Sequence, residues 1–142
     1  MSRQSVGLVD GEMVFKPTAA GTYTINESYH GKTVVLGLAT GGQHFKLPPP
    51  TKGFKITFIS GVDLATSNST ITAYSAAGAA ANIIAGSVNT AGVADYTAGT
   101  EVDVITFAQG VADIGDSVDL ICDGTYWYVT GQAGASLAIT LA

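Results

Sequence analysis

Between positions 54 and 59 the chain reads Phe-Lys-Ile-Thr-Phe-Ile, apolar at Phe54, Ile56 and Phe58, polar at Lys55 and Thr57, and stopped by Gly61. A period of two is the mark of a strand with one face in a core and the other toward water. The same habit, in short segments rich in β-branched and aromatic residues, predicts strands over 22–25, 33–38, 43–47, 68–74, 82–88, 101–107, 117–122, 126–130 and 136–141. Helical periodicity is missing. The one Ala-rich piece, 76–81, is cut by Gly78, is shorter than the ~12 residues a helix needs to hold itself, and reads as a loop. Short strands, Gly-rich turns and no helix to carry parallel crossovers predict an all-β fold, an antiparallel β-sandwich or barrel in a single compact domain.

The 142 residues suffice for one core without disulfides or metals. Residues 1–15 read as an N-terminal arm or first strand and 16–142 as the β-sandwich or barrel domain. Pro48-Pro49-Pro50 cannot donate to a ladder and forms a stiff corner between the strand ending at Leu47 and the one starting at Phe54. Near the C-terminus, Asp123-Gly124 has the chemistry of a hairpin turn, followed by the strand formers Tyr126, Trp127 and Tyr128, with a second turn expected at 130–131. Alternation puts Trp127 in the core with Phe54, Ile56 and Phe58, and leaves Tyr126 and Tyr128 at the surface or in an oligomer contact.

Only 12% of residues are charged while 46% are hydrophobic. Isolated stable domains usually carry about 25–35% charged residues on their surface, so much of this exterior is expected to be covered by copies of the chain or by a partner. A net charge of −5 with six Lys and Arg in total excludes nucleic acid as a partner, because phosphate contact needs clustered cations. Cys122 is single and sits in an apolar run, so it reads as a small buried side chain. No run reaches the ~18 apolar residues of a membrane span, and the start of the chain lacks a signal-peptide core of roughly 7–15 apolar residues, so no membrane partner is expected.

Catalysis finds little to work with. The only histidines are His30, in a turn, and His44, on the polar face of a strand, and neither has a nucleophile beside it in a known motif. Asp113, Asp116, Asp119 and Asp123 fall within eleven positions, but their spacing is wrong for the common calcium loop. The expectation is a chain that is no enzyme and takes no cofactor or metal.

The order Phe45-Lys46-Leu47-Pro48, Gly53-Phe54-Lys55-Ile56-Thr57-Phe58, Ser69-Thr70-Ile71-Thr72-Ala73, Asn82-Ile83-Ile84-Ala85-Gly86 and Gly115-Asp116-Ser117-Val118-Asp119-Leu120, leading into the Asp123 to Val129 hairpin, resembles small β-rich virion proteins of tailed bacteriophages. The likeness covers roughly residues 20 to 131. It implies a capsid decoration, or cement, protein that binds as a homotrimer across neighbouring capsomers. Its partner would then be the major capsid protein, and its place the exterior of the virion after synthesis in the host cytoplasm. The alternative within the same group is a fibre or adhesin module that binds a host-surface glycan or protein. With no heptads and no collagen-like repeat, the chain resembles the cement proteins more than a fibre fragment. On that reading the strand-like stretch carrying Val6, Leu8 and Val9 is the expected capsid contact, ordering on binding or pairing with a sheet edge.

Overall fold

The chain passes back and forth between two sheets, and this alternation sets every strand neighbour. The computed structural model describes residues 13–97 and 100–142. Among them run twelve strands: β1 Val14–Phe15, β2 Gly21–Thr24, β3 Thr33–Leu36, β4 Gln43–Lys46, β5 Lys55–Ser60, β6 Ser69–Thr72, β7 Ile84–Thr90, β8 Val93–Tyr96, β9 Val104–Phe107, β10 Ser117–Cys122, β11 Trp127–Ala133 and β12 Ile139–Leu141. A single 3-10 turn, Glu27–Tyr29, is capped by the Asn26 side chain, which accepts from the Ser28 amide. One sheet has seven strands in the order β1-β3-β5-β10-β11-β7-β8, the other five in the order β12-β9-β6-β4-β2. Packed face to face they make a β-sandwich in one compact domain.

The expected all-β sandwich is what forms, but its sheets are mixed and not antiparallel. β1 pairs with β3, β3 with β5, β2 with β4, β4 with β6, and β7 with β11, all parallel. Among the described residues no helix carries a parallel crossover: in four of these pairs a strand of the opposite sheet does that work, and β7 connects to β11 through β8, β9 and β10. From β1 to β6 successive strands alternate sheets, so strands two apart in sequence come to lie side by side pointing the same way. The antiparallel pairs belong mainly to the second half, including the β10–β11 and β7–β8 hairpins.

Inward alternation fills the space between the sheets. On β5 Ile56 and Phe58 are buried while Lys55 is exposed, and on β10 Val118, Leu120 and Cys122 are buried while Asp119 and Ile121 are exposed. Phe45 of β4 meets Phe58 of β5 across the sandwich with ring centroids 5.3 Å apart. Phe54 is buried beside Trp127, whose ring it meets edge-on at 5.6 Å. Trp127 is wholly buried, and its indole N–H finds no acceptor among the described residues. An unmade buried bond costs about 1–3 kcal/mol, so ring packing must outweigh that loss.

Two further elements depart from the sequence reading. No turn follows Thr130: β11 continues through Gly131 to Ala133, with Gly131 opposite Val118. A glycine stands there because a Cβ would lie 2.5 Å from the Ser117 carbonyl oxygen; on the other side of β11, a Cβ on Gly86 would lie 2.1 Å from that of Val129. Strand β8, for which the sequence reading placed no strand, is hydrogen-bonded to β7. At the other end of the chain Val14–Phe15 forms a short parallel edge strand, while Val6, Leu8 and Val9 lie outside the described residues.

Replacing Trp127 by Ala is expected to lower stability by about 3–5 kcal/mol, read as a lower denaturant midpoint with an unchanged slope. A midpoint near that of the parent would contradict the packing just described.

Candidate interaction surfaces

The strand directions give the sandwich two ends. At one, which we term the loop end, β5, β7 and β11 finish and β10 and β12 begin. Its loops are tied to one another through the backbone: Ala91 N–H donates to the Ala133 carbonyl at 2.9 Å, and Leu64 N–H to that of Ala112 at 2.9 Å. Asp116, a buried carboxylate, accepts from the Asp113 amide at 2.9 Å and from the Gly134 amide at 3.0 Å, so one side chain ties the 113–116 turn to the end of β11. Asp63 accepts from the Ile114 amide at 3.1 Å. These carboxylates are spent on loop geometry.

Beside exposed polar residues such as Asp113 and Ser136, these loops expose large apolar side chains. Ile114, Leu137 and Val93 are 67%, 64% and 63% exposed, the three most exposed large hydrophobic side chains among the described residues, and all three sit on loops or strand starts at this end. Leu137 holds φ at 63° and Ala91 holds φ at 51°, the two non-glycine residues among those described with positive φ. A bulky side chain in the left-handed region is strained and persists only where its surroundings over-determine it. The backbone thus pushes Leu137 outward where an ordinary turn would leave a glycine.

The outer face of the seven-stranded sheet is a second surface. Its register lines up Lys55, Ile121, Tyr128 and Ala85 in one row and Thr57, Asp119, Thr130 and Ser87 in the next. Asp119 accepts from the Thr57 hydroxyl at 2.6 Å. Between β5, β10 and β11 lies a shallow groove of about 360 Å³ lined by Lys55, Asp119, Ile121 and Tyr128. Across these two rows only Lys55 and Asp119 bear charge.

At the opposite end, which we term the proline end, are Pro48-Pro49-Pro50, the 3-10 turn and the β10–β11 hairpin tip. The tip is organised by Asp123: its Oδ1 accepts from the Thr125 and Tyr126 amides, both at 2.8 Å, and its Oδ2 accepts from the Tyr128 hydroxyl at 2.8 Å. Tyr126 and Tyr128 are exposed, and Gly124 takes positive φ within the turn. The amide bonds from Tyr126 and Thr125, then the Tyr128 hydroxyl, hold the Asp123 pKa below the usual carboxylate value; accepting that bond, Asp123 raises the Tyr128 phenol pKa.

His30 rests on Phe54, with ring centroids 5.6 Å apart, and its Nδ1 accepts from the Lys55 amide at 3.2 Å, while His44 Nδ1 lies 2.8 Å from the Thr70 hydroxyl. The four aspartates weighed for calcium do not meet: Asp113 and Asp116 are at the loop end, Asp119 on the sheet face and Asp123 at the opposite tip. Among the described residues no group of three or more His, Cys, Asp or Glu side chains could hold a metal ion. Sequence reasoning missed the loop-end patch, although one signal was present: Ile114 and Leu137 are each a large apolar residue set among small or polar turn residues, Asp113-Ile114-Gly115 and Ser136-Leu137-Ala138. Comparison with protein-family models and with curated proteins finds no match to this chain.

Because folding favours the Asp123 carboxylate, its contribution is in place above the unfolded carboxylate pKa of about 3.9 and is lost as pH falls through the lower folded value. The Tyr128 phenol acts in the opposite sense: its part is in place below the unfolded value of about 10 and is lost as pH rises through the higher folded one. In an NMR titration the Thr125 and Tyr126 amide shifts should therefore hold on acidification until below the ordinary carboxylate range, and Asp123→Asn should abolish that transition. A midpoint at or above the ordinary value would contradict the hairpin geometry.

Proposed function

We propose that the chain is a capsid decoration protein of a tailed bacteriophage, a non-catalytic virion part that attaches as a homotrimer to the major capsid protein across neighbouring capsomers, with its loop end toward the shell. The observation that carries this reading is the gathering of Ile114, Leu137 and Val93 on one end, with the backbone strained to present Leu137. Exposed apolar side chains grouped on rigid, mutually bonded loops are what a docking patch requires. The resemblance of residues 20 to 131 to phage virion proteins points the same way.

The thin charge coat supports the homotrimer. An outer sheet face with two charges across its central rows offers uncharged contact area to a second copy. Three linked patches, each binding weakly, raise the effective concentration of the second and third contacts, and avidity then exceeds single-site affinity by ~10²–10⁴. Val6, Leu8 and Val9 precede Met13, which the parallel β1–β3 pairing sets at the proline end, so the loop-end contact proposed here does not depend on them.

Ile114→Asp and Leu137→Asn each change one exposed side chain and are expected to leave circular dichroism and solution mass unaltered while lowering co-sedimentation with purified phage heads at least ~10-fold. A double variant that binds heads as the parent does would overturn the reading.

A further inference from the structure

The proline end holds a cleft that the decoration role does not use. About 420 Å³ in volume, it has Ile25, Leu47 and Pro48 as an apolar floor, Tyr74 and Lys46 on one wall and Glu27 on the other. A shallower depression lined by His30, Lys52 and Phe54 shares Glu27 and Thr51 with the cleft, so the two adjoin and are together termed the trough.

Each wall is fixed by the fold. Tyr74 is anchored through an antiparallel bridge to Ala80. Lys46, at the end of β4, lies with its ammonium over the Tyr74 ring, 4.7 Å from its centroid, so cation and aromatic form one stacked pair that leaves the other ring face for a ligand. Glu27 belongs to the 3-10 turn that the Asn26 side chain caps, and Thr51 donates to the Pro49 carbonyl at 2.9 Å.

The charge of the trough runs against that of the chain. The whole molecule carries −5, yet the trough sets Lys46 and Lys52 against the single carboxylate of Glu27, with His30 beside them. An apolar floor and an aromatic wall suit the C–H face of a sugar ring, the carboxylate and the hydroxyls of Thr24, Thr51 and Ser75 suit ring hydroxyls, and two ammonium groups suit acid substituents. From this arrangement we infer that the trough binds an acidic oligosaccharide, one whose residues carry carboxylates, with one ring on Tyr74 and a carboxylate at Lys46. It lies at the end of the sandwich opposite Ile114, Leu137 and Val93, so a molecule seated by its loop end presents the trough outward. The inference does not need that seating, since it rests on the trough alone.

The test is a titration of the full chain, followed by amide NMR, with trigalacturonate as the acidic probe and cellotriose as the neutral one. Trigalacturonate is expected to give saturable shifts around Lys46, Tyr74 and Lys52, to lose affinity as salt rises, and to bind at least ~10-fold more tightly than cellotriose. Lys46→Gln, a surface change that leaves the floor intact, should weaken trigalacturonate at least ~5-fold and leave cellotriose unaffected; Tyr74→Ala should weaken both. Equal binding of the two probes, shifts confined to other surfaces, no shifts at millimolar trigalacturonate, or an unaltered affinity of Lys46→Gln would each overturn the inference. Co-sedimentation of Lys46→Gln with heads is expected to match the parent, so failure here is distinguishable from failure of the decoration reading.

Discussion

Phe45 and Phe58 face each other across the gap between two sheets, and neither sheet can bury its apolar side without the other. That mutual burial is what the remaining structure depends on. Because the strands contributing to it alternate between sheets from β1 to β6, each segment is laid down over the one before it, and the hydrogen-bonding neighbours in each sheet become parallel. The second half of the chain then closes the sandwich with antiparallel strands, β9 and β12 extending the five-stranded sheet and β10 joining β5 to the β10–β11 hairpin. Trp127, at the start of β11 and edge-on to Phe54, locks this second half onto the first.

This winding also separates the two ends chemically. At one end Asp63 and Asp116 bond neighbouring loops together, and Ile114, Leu137 and Val93 are the most exposed large apolar side chains among the described residues, with Asp113 and Lys16 exposed beside them. Lys32, Lys46, Lys52 and Lys55 fall at the other end, at the start of β3, the end of β4 and the approach to β5. The result is a bipolar molecule whose long sheet face between the ends is nearly uncharged. A body of that kind suits the role proposed above, a part fixed at one end, flanked by its own copies and open at the other.

Much of this was legible in the sequence, and for definite reasons. The alternation at 54–59 named the inward residues correctly because a period of two leaves no freedom once one face is buried. Asp123-Gly124 marked the hairpin because few residues accept its backbone angles. Strand direction was not legible: the period is the same in parallel and antiparallel ladders, and only the order in which segments enter each sheet decides it. Gly131 was misread as a turn because a glycine required by the nearby Ser117 carbonyl looks identical in sequence to one required by positive φ. The trough at Tyr74 and Lys46 joins residues from three separate segments, 24–30, 46–54 and 74–78, and no local spacing announces such a meeting.

The claim at the centre of this account is that the end bearing Val93, Ile114 and Leu137 is the one that meets a larger assembly. Hydrogen exchange measured on the chain free and bound to phage heads tests it most directly. The account predicts slowed exchange in the loops around 91–93, 110–116 and 134–138, with the hairpin tip at 123–126 unchanged. Protection at the tip and the proline corner with the loop end unaffected would contradict it.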